Sequence, residues 1–153
     1  MKITTYEGAK AHITKLVRAY ERKVMPPTAP RVQIIFTSRL PFDVLGEMQP
    51  YYNSATRRCV RVEMRFNADF IKTNLDRIGT KAVEGLIAHE MCHAKHVCVL
   101  FEDYMKQKNP HADDDVFEPC MCSLGMKKYR FGTHPDLVVT PPKKKKKKRI
   151  GVL

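Results

Sequence analysis

Apolar residues near the start of the chain recur at three- and four-residue intervals. Between Tyr6 and Val24 they are Ala9, Ile13, Leu16, Val17, Tyr20 and Val24. This spacing places them on one face of a helix, which therefore has a side to bury. The run MPPTAP that follows ends the helix, because proline lacks the backbone donor and the freedom of φ that a continuing helix needs.

The middle of the chain changes to a period of two. Apolar and more polar residues alternate from Arg31 to Leu40 and again from Cys59 to Phe66. This alternation is typical of half-buried strands. Between them, Leu45 to Gln49 is a candidate third strand, and Tyr51 to Arg58 is the expected turn. We therefore expect a small antiparallel sheet.

Helical spacing then returns, with polar residues at suitable positions to begin each helix. Asn67 can cap a short helix through Arg77, and Thr80 can cap a longer one towards Lys106. The longer helix has an apolar face made of Val83, Leu86, Ile87, Met91, Ala94 and Val97. The Asn109-Pro110 pair is expected to break it.

A further helix is expected after that break. Three aspartates, Asp113 to Asp115, suit the positive end of a helix dipole, and Phe117, Met121 and Leu124 are available for burial. Pro119 is tolerated there only in or near the first turn. The order of elements predicts an α+β fold in which a small antiparallel sheet packs on helices.

Charge divides the chain into two parts. The 153 residues are enough for one domain, and seven of the net twelve positive charges lie in one run near the C-terminus. The run consists of Lys143, Lys144, Lys145, Lys146, Lys147, Lys148 and Arg149. We predict a folded domain at residues 1–140 and a disordered basic tail at residues 141–153.

Composition also bears on the compartment and on partners. The chain has neither a long apolar segment nor the apolar core of a signal peptide, so we expect an intracellular protein without a membrane partner. The five cysteines are odd in number and irregularly spaced, which favours reduced thiols over a disulfide framework. The oligomeric state is not indicated by any pattern.

The long helix carries the segment HEMCH, which contains the strongest chemical signal in the sequence. Residues four apart share a helix face, so His89 and His93 can direct two imidazoles at one ion, with Glu90 beside them. Zinc lowers the pKa of a bound water, and a carboxylate can take the proton of that water. The alternative is a coincidence in which two buried histidines make ordinary hydrogen bonds. We predict a zinc site with Glu90 as the general base.

A catalytic zinc needs a third protein ligand and an open fourth position. His111 is the first choice, because the chain can turn back towards the motif after Asn109-Pro110. His96 competes, but a straight helix carries it about 10 Å along the axis from His89. Glu118 and the three aspartates are carboxylate alternatives. Cys92 is expected to point off the metal face into the core.

The segment LIAHEMCHAKH resembles the SprT-like metalloproteases, the family that includes Spartan, in which an apolar helix bears HExCH followed by alanine. The order of elements also fits over about Tyr6 to Tyr129. The resemblance implies a zincin-like core with the HExxH motif on a central helix. It also implies zinc held by His89, His93 and a later histidine matching His111, with Glu90 catalytic. The chain departs from the family pattern in having Ala112 where glycine often follows the third histidine.

The family resemblance implies a zinc metallopeptidase that cleaves DNA-bound or DNA-crosslinked proteins during DNA repair. The basic tail supports DNA as a partner, because lysines and arginines neutralise phosphates without reading sequence. A lysine run after two prolines also resembles a nuclear localisation signal, which would place the protein in the nucleus of a eukaryotic host and otherwise in the cytoplasm. Two alternatives stay open: a DNA-binding or adaptor module with structural zinc, and a zinc hydrolase with a non-protein substrate.

Overall fold

A computed structural model describes residues 2–106 and 116–129 of the chain. Within these residues the architecture is mixed α and β, as the sequence predicts. Six helices and three strands follow one another in the order α1 (Tyr6–Val24), β1 (Val32–Thr37), β2 (Gly46–Asn53), β3 (Arg58–Asn67), α2 (Ala68–Thr73), α3 (Leu75–Ile78), α4 (Lys81–Val99), α5 (Phe101–Lys106) and α6 (Phe117–Ser123). A short 3-10 helix, Lys127–Tyr129, comes last.

Helix α1 has the predicted bounds. The Thr5 hydroxyl accepts a hydrogen bond from the Gly8 N–H and so caps its first turn. Its apolar stripe is buried, and Ile13 and Val17 are fully covered. At its other end, the Glu21 carboxylate accepts the Val32 N–H at 2.6 Å and an Arg18 N–H at 2.8 Å. This carboxylate fixes the start of β1 against α1.

The sheet is mixed, which corrects the expectation of an antiparallel one. The strand order is β1-β3-β2, with β3 parallel to β1 and antiparallel to β2. Alternation of apolar residues shows which face of a strand is buried but carries no information about strand direction, and this is why the sequence pattern missed the parallel pair. The central position of β3 leaves β2 at one edge of the sheet.

Strand β3 departs from the predicted alternation at two residues. Val60 is 58% exposed although it belongs to the apolar set, and Glu63 is only 6% exposed although it belongs to the polar set. Val62, Met64 and Phe66 are buried as expected. The predicted alternation therefore fails near the start of β3, where Val60 is exposed, and again at Glu63, where a carboxylate is buried.

The predicted helix after Asn67 is divided into α2 and α3. The Asn67 side chain accepts hydrogen bonds from the Asp69 and Phe70 N–H groups, so the predicted cap is confirmed. Asn74 then leaves helical geometry and its N–H bonds to the Ile71 carbonyl, which ends α2. The longer predicted helix is also divided, because Leu100 separates α4 from α5.

Helix α4 packs against more elements than any other helix of the described residues does. It packs against α1, α5 and α6, against β2 and β3, and against the 3-10 helix. Its buried residues include Ile87, Met91 and Ala94 from the predicted face. None of the helices within residues 2–106 and 116–129 is long and apolar enough to cross a membrane.

Helix α6 is the predicted helix after the three aspartates, with Pro119 in its first turn. Phe117 and Met121 are buried as expected. The aspartates, the predicted break at Asn109-Pro110 and the residues after 129, including the predicted boundary at residue 140, lie outside the described residues.

Candidate metal centre

The two histidines of HEMCH face the same point in space. Both are on α4, one turn apart, and both are buried, with exposed fractions of 4% for His89 and 8% for His93. Their Nε2 atoms are 3.2 Å apart. Two nitrogens bound to tetrahedral zinc at about 2.05 Å lie about 3.3 Å from each other. The spacing of the pair therefore fits a zinc chelate.

A backbone carbonyl orients the first of these histidines. Nδ1 of His89 lies 3.0 Å from the carbonyl oxygen of Tyr129, in the 3-10 helix. Because a carbonyl can only accept, the Nδ1 atom carries the proton and Nε2 presents its lone pair to the site. This is the arrangement that metal-binding histidines use to fix the ring and its tautomer.

An aromatic ring covers both imidazoles. Phe117, the first residue of α6, is fully buried and stacks on the His93 ring with centroids 4.4 Å apart and an interplanar angle of 26°. It also meets the His89 ring edge-on at 5.0 Å. Such an apolar neighbour lowers the local polarity and limits rotation of both rings.

Glu90 points from the same helix towards the edge strand β2. Although the residue is only half-buried, its carboxyl is shielded from water, and this burial raises its pKa to about 8. A hydrogen bond from the backbone of Met48 opposes that shift, and the negative charge of Glu47 adds to it. Glu90 thus lies between His89 and His93 in the sequence, and its carboxylate is bonded to the edge strand of the sheet.

No third ligand for the histidine pair is found among the residues that the structure describes. His111 and Asp113 to Asp115 lie outside them. Within residues 2–106 and 116–129, no group of three or more histidine, cysteine, aspartate or glutamate side chains is arranged to hold an ion. His96 therefore does not join the pair; it is fully buried and its ring meets the Tyr104 ring edge-on. The Glu118 carboxylate is 3.5 Å from the Lys127 ammonium.

The cysteines correct one expectation. Cys92 is fully buried and off the metal face, as predicted, but it forms a disulfide with Cys120 of α6. The expectation that all five cysteines are free thiols is therefore wrong, because spacing along the chain does not show that α6 returns to α4. The disulfide joins α4 to the helix that bears Phe117. Cys59, Cys98 and Cys122 are free.

The predicted nucleic-acid contacts are the seven basic residues of the tail. The tail, Lys143 to Arg149, lies outside the described residues. Of the basic residues near the β2–β3 turn, Arg57 forms an ion pair with Glu102, and Arg61 lies 3.0 Å from Glu63 and stacks over the Tyr51 ring. Arg58 is exposed. Arg57 and Arg61 thus have acidic partners within the protein.

Two features of the centre were missed by sequence reasoning. The Tyr129 carbonyl is a backbone group forty residues from His89, so no side-chain pattern could indicate it. Phe117 was assigned to the core, without a role at the histidines. Gly85 is a weak signal for the first feature, since a glycine inside an apolar helix often marks a close approach. A Cβ at Gly85 would lie 2.3 Å from a ring atom of Tyr129.

Comparison with known proteins gave no match at any of three levels: no family model matches the sequence, no curated protein matches it, and no solved structure matches the fold.

Proposed function

We propose that this protein is a zinc-dependent endopeptidase of the SprT-like type that acts on DNA-bound or DNA-crosslinked proteins. His89, His93 and His111 would hold the metal, and Glu90 would be the catalytic residue. The observation that carries the proposal is the 3.2 Å separation of the two Nε2 atoms, together with the carbonyl that fixes the tautomer of His89. In the alternative, an ordinary histidine pair, the same Nε2 lone pair of His89 would accept a hydrogen bond from Nε2–H of His93, and zinc content distinguishes the two.

Each residue has a separate role in the proposed reaction. When bound, Zn²⁺ supplies a Lewis acid that polarises a carbonyl and makes water a better nucleophile. The Glu90 carboxylate takes a proton from the attacking water and returns it to the leaving amine. Phe117 keeps the two imidazoles in place and excludes water from one side of the site. The Tyr129 carbonyl holds the proton on Nδ1 of His89.

A polypeptide substrate is supported by the position of Glu90 beside β2. This strand is at the edge of the sheet, and the backbone of Met48 bonds to the Glu90 carboxylate, so outward-facing backbone groups lie next to the proposed base. Extended peptides bind to edge strands through main-chain hydrogen bonds. A DNA-associated substrate rests on the basic run Lys143 to Arg149 and on the resemblance of LIAHEMCHAKH to the SprT-like family.

The test of catalysis is cleavage of a small basic protein bound to duplex DNA, with added Zn²⁺. Glu90→Gln keeps the size of the side chain but removes the base, so we expect a rate about 10²–10⁴-fold lower than wild type. Glu7→Gln is the control, because Glu7 is an exposed residue of α1 whose carboxylate lies 3.1 Å from the Lys10 ammonium. Cleavage by Glu90→Gln at the wild-type rate would refute the mechanism. Cleavage of bare DNA instead of protein would indicate the non-protein hydrolase.

The test of the ligand set is the zinc content of purified protein. We expect one zinc per chain in wild type and in the His12→Ala control, and large losses in His89→Ala, His93→Ala and His111→Ala. Stoichiometric zinc with full activity in His111→Ala would assign the third position to another residue, such as a carboxylate of Asp113 to Asp115. Four protein ligands without an open position, measured by X-ray absorption, would favour the structural-zinc alternative.

A further inference from the structure

A pair of cysteines lies where the C-terminal end of α4 meets the start of β3. The Sγ atoms of Cys59, near the start of β3, and Cys98, in the last turn of α4, are 3.1 Å apart. Both residues are half-buried, and their neighbours Val60 and Val99 are 58% and 46% exposed. Small molecules dissolved in water can therefore reach the pair.

Other contacts hold the two sulfur atoms together. The Arg57 guanidinium, in the turn between β2 and β3, makes two hydrogen bonds to the Glu102 carboxylate on α5. The Tyr52 and Phe101 rings meet edge-on with centroids 5.1 Å apart. These contacts join the same two parts of the fold as the cysteines do, namely the β2–β3 hairpin and the junction of α4 with α5. These contacts therefore hold Cys59 and Cys98 next to each other.

The two thiols are chemically different. The Cys98 S–H donates a hydrogen bond to the Cys59 sulfur, and this bond lowers the Cys59 pKa to about 7 against the opposing effect of burial. Backbone hydrogen bonds with Arg61 and Tyr51 act in the same lowering direction. The same pairing, together with burial, raises the Cys98 pKa. Cys59 is thus the better nucleophile near neutral pH, and Cys98 remains protonated.

We propose that Cys59 and Cys98 form a peroxide-reactive dithiol that closes to a reversible disulfide between β3 and α4. The Cys59 thiolate attacks one oxygen of a hydroperoxide; the O–O bond breaks, sulfur is oxidised to the sulfenic acid, and the other oxygen leaves as water or alcohol after protonation. The Cys98 sulfur then attacks the Cys59 sulfur, its proton leaves with the sulfenic hydroxyl as water, and the S–S bond forms. This site is independent of the proposed peptidase activity.

The experiment uses the full-length wild-type chain, treated with a stoichiometric amount of hydrogen peroxide at neutral pH, then alkylated and mapped by mass spectrometry. We expect a peptide pair cross-linked through Cys59 and Cys98 that disappears after dithiothreitol treatment. Cys59 should be lost at least about tenfold faster than the exposed Cys122, since its lowered pKa makes it largely thiolate near neutral pH and the thiolate is the form that reacts with peroxide. This arm requires no mutation, so misfolding of a variant cannot obscure it.

Three variants assign the roles. Cys98→Ser should stop at a Cys59 sulfenic acid that dimedone traps, whereas Cys59→Ser should leave Cys98 alkylatable after peroxide treatment. Cys122→Ser is the matched control and should behave as wild type. The proposal would be overturned if Cys122 reacted as fast as Cys59, or if peroxide left both Cys59 and Cys98 alkylatable in the wild-type chain.

Discussion

Glu63 shows how one buried carboxylate can organise a strand. The Arg65 guanidinium and the Tyr51 hydroxyl donate hydrogen bonds to its Oε1 atom at 2.8 and 3.2 Å, and the Arg61 guanidinium lies 3.0 Å from Oε2. Burial by itself would raise its pKa, but the hydrogen bonds from Arg65 and Tyr51 and the two positive charges outweigh burial and lower the pKa below 4.5. The carboxylate is thus more acidic in the folded protein than in the unfolded chain.

This difference predicts the pH dependence of stability. A group whose pKa is lowered by folding stabilises the protein above its unfolded pKa, and the contribution is lost as the pH falls through the folded value. We therefore expect Glu63→Gln to reduce the loss of unfolding free energy between neutral pH and about pH 3. Urea denaturation at a series of pH values measures how the unfolding free energy of each protein changes with pH. Glu7→Gln, which removes an exposed carboxylate of α1, is the control.

At the scale of the elements, helix α4 packs closely against the 3-10 helix at Gly85. Gly85 lets the buried Tyr129 ring lie against the helix backbone, with ring atoms 2.3 to 2.8 Å from where a Cβ would be. A glycine in a helix interior usually costs stability relative to alanine. Here the absence of a side chain allows the 3-10 helix to pack on α4, which brings the Tyr129 carbonyl to His89.

Gly85→Ala should therefore destabilise the fold, although alanine favours helices. We expect a loss of about 1–3 kcal/mol of unfolding free energy, the usual cost of overpacking a core. Tyr129→Leu keeps the backbone carbonyl and makes room, so the double variant should lose less than the sum of the two single changes. Equilibrium denaturation measures all four proteins. Strict additivity would contradict the proposed contact.

At the scale of the whole molecule, charge is distributed unevenly. Seven of the net twelve positive charges are in Lys143 to Arg149. Near the β2–β3 turn, in contrast, Arg57 and Arg61 are paired with carboxylates of the described residues. The tail is therefore the densest source of positive charge for neutralising phosphates in the sequence.

Replacement of Lys143 to Arg149 by serine should weaken binding to a duplex of any sequence. We expect the slope of log K against log salt to become shallower by up to about six, since each neutralised phosphate contributes about 0.9. Fluorescence anisotropy with one labelled duplex over a range of salt concentrations measures the slope. An unchanged slope would exclude the tail as the main contact, and binding would then have to come from the folded domain.

Sequence alone determined the features that depend on local spacing and backbone chemistry. Periodicity, together with the residues that can cap or continue a helix, predicts four of them. These are the bounds of α1, the cap at Asn67, the strand character of β1 and β3, and the placement of His89 and His93 on one helix face. These properties involve residues within a few positions of one another, so the pattern contains them.

Tertiary structure decided whatever joins distant parts of the chain. Three features bring together residues 28 or more positions apart: the parallel pairing of β1 with β3, the disulfide from Cys92 to Cys120, and the Tyr129 carbonyl at His89. A fourth, the burial of Glu63, depends on what covers the strand. Periodicity gives the face of an element, but direction, partners and close approach are set by how the elements pack. The histidine pair could therefore be predicted from the sequence, whereas the groups that orient and cover it could not.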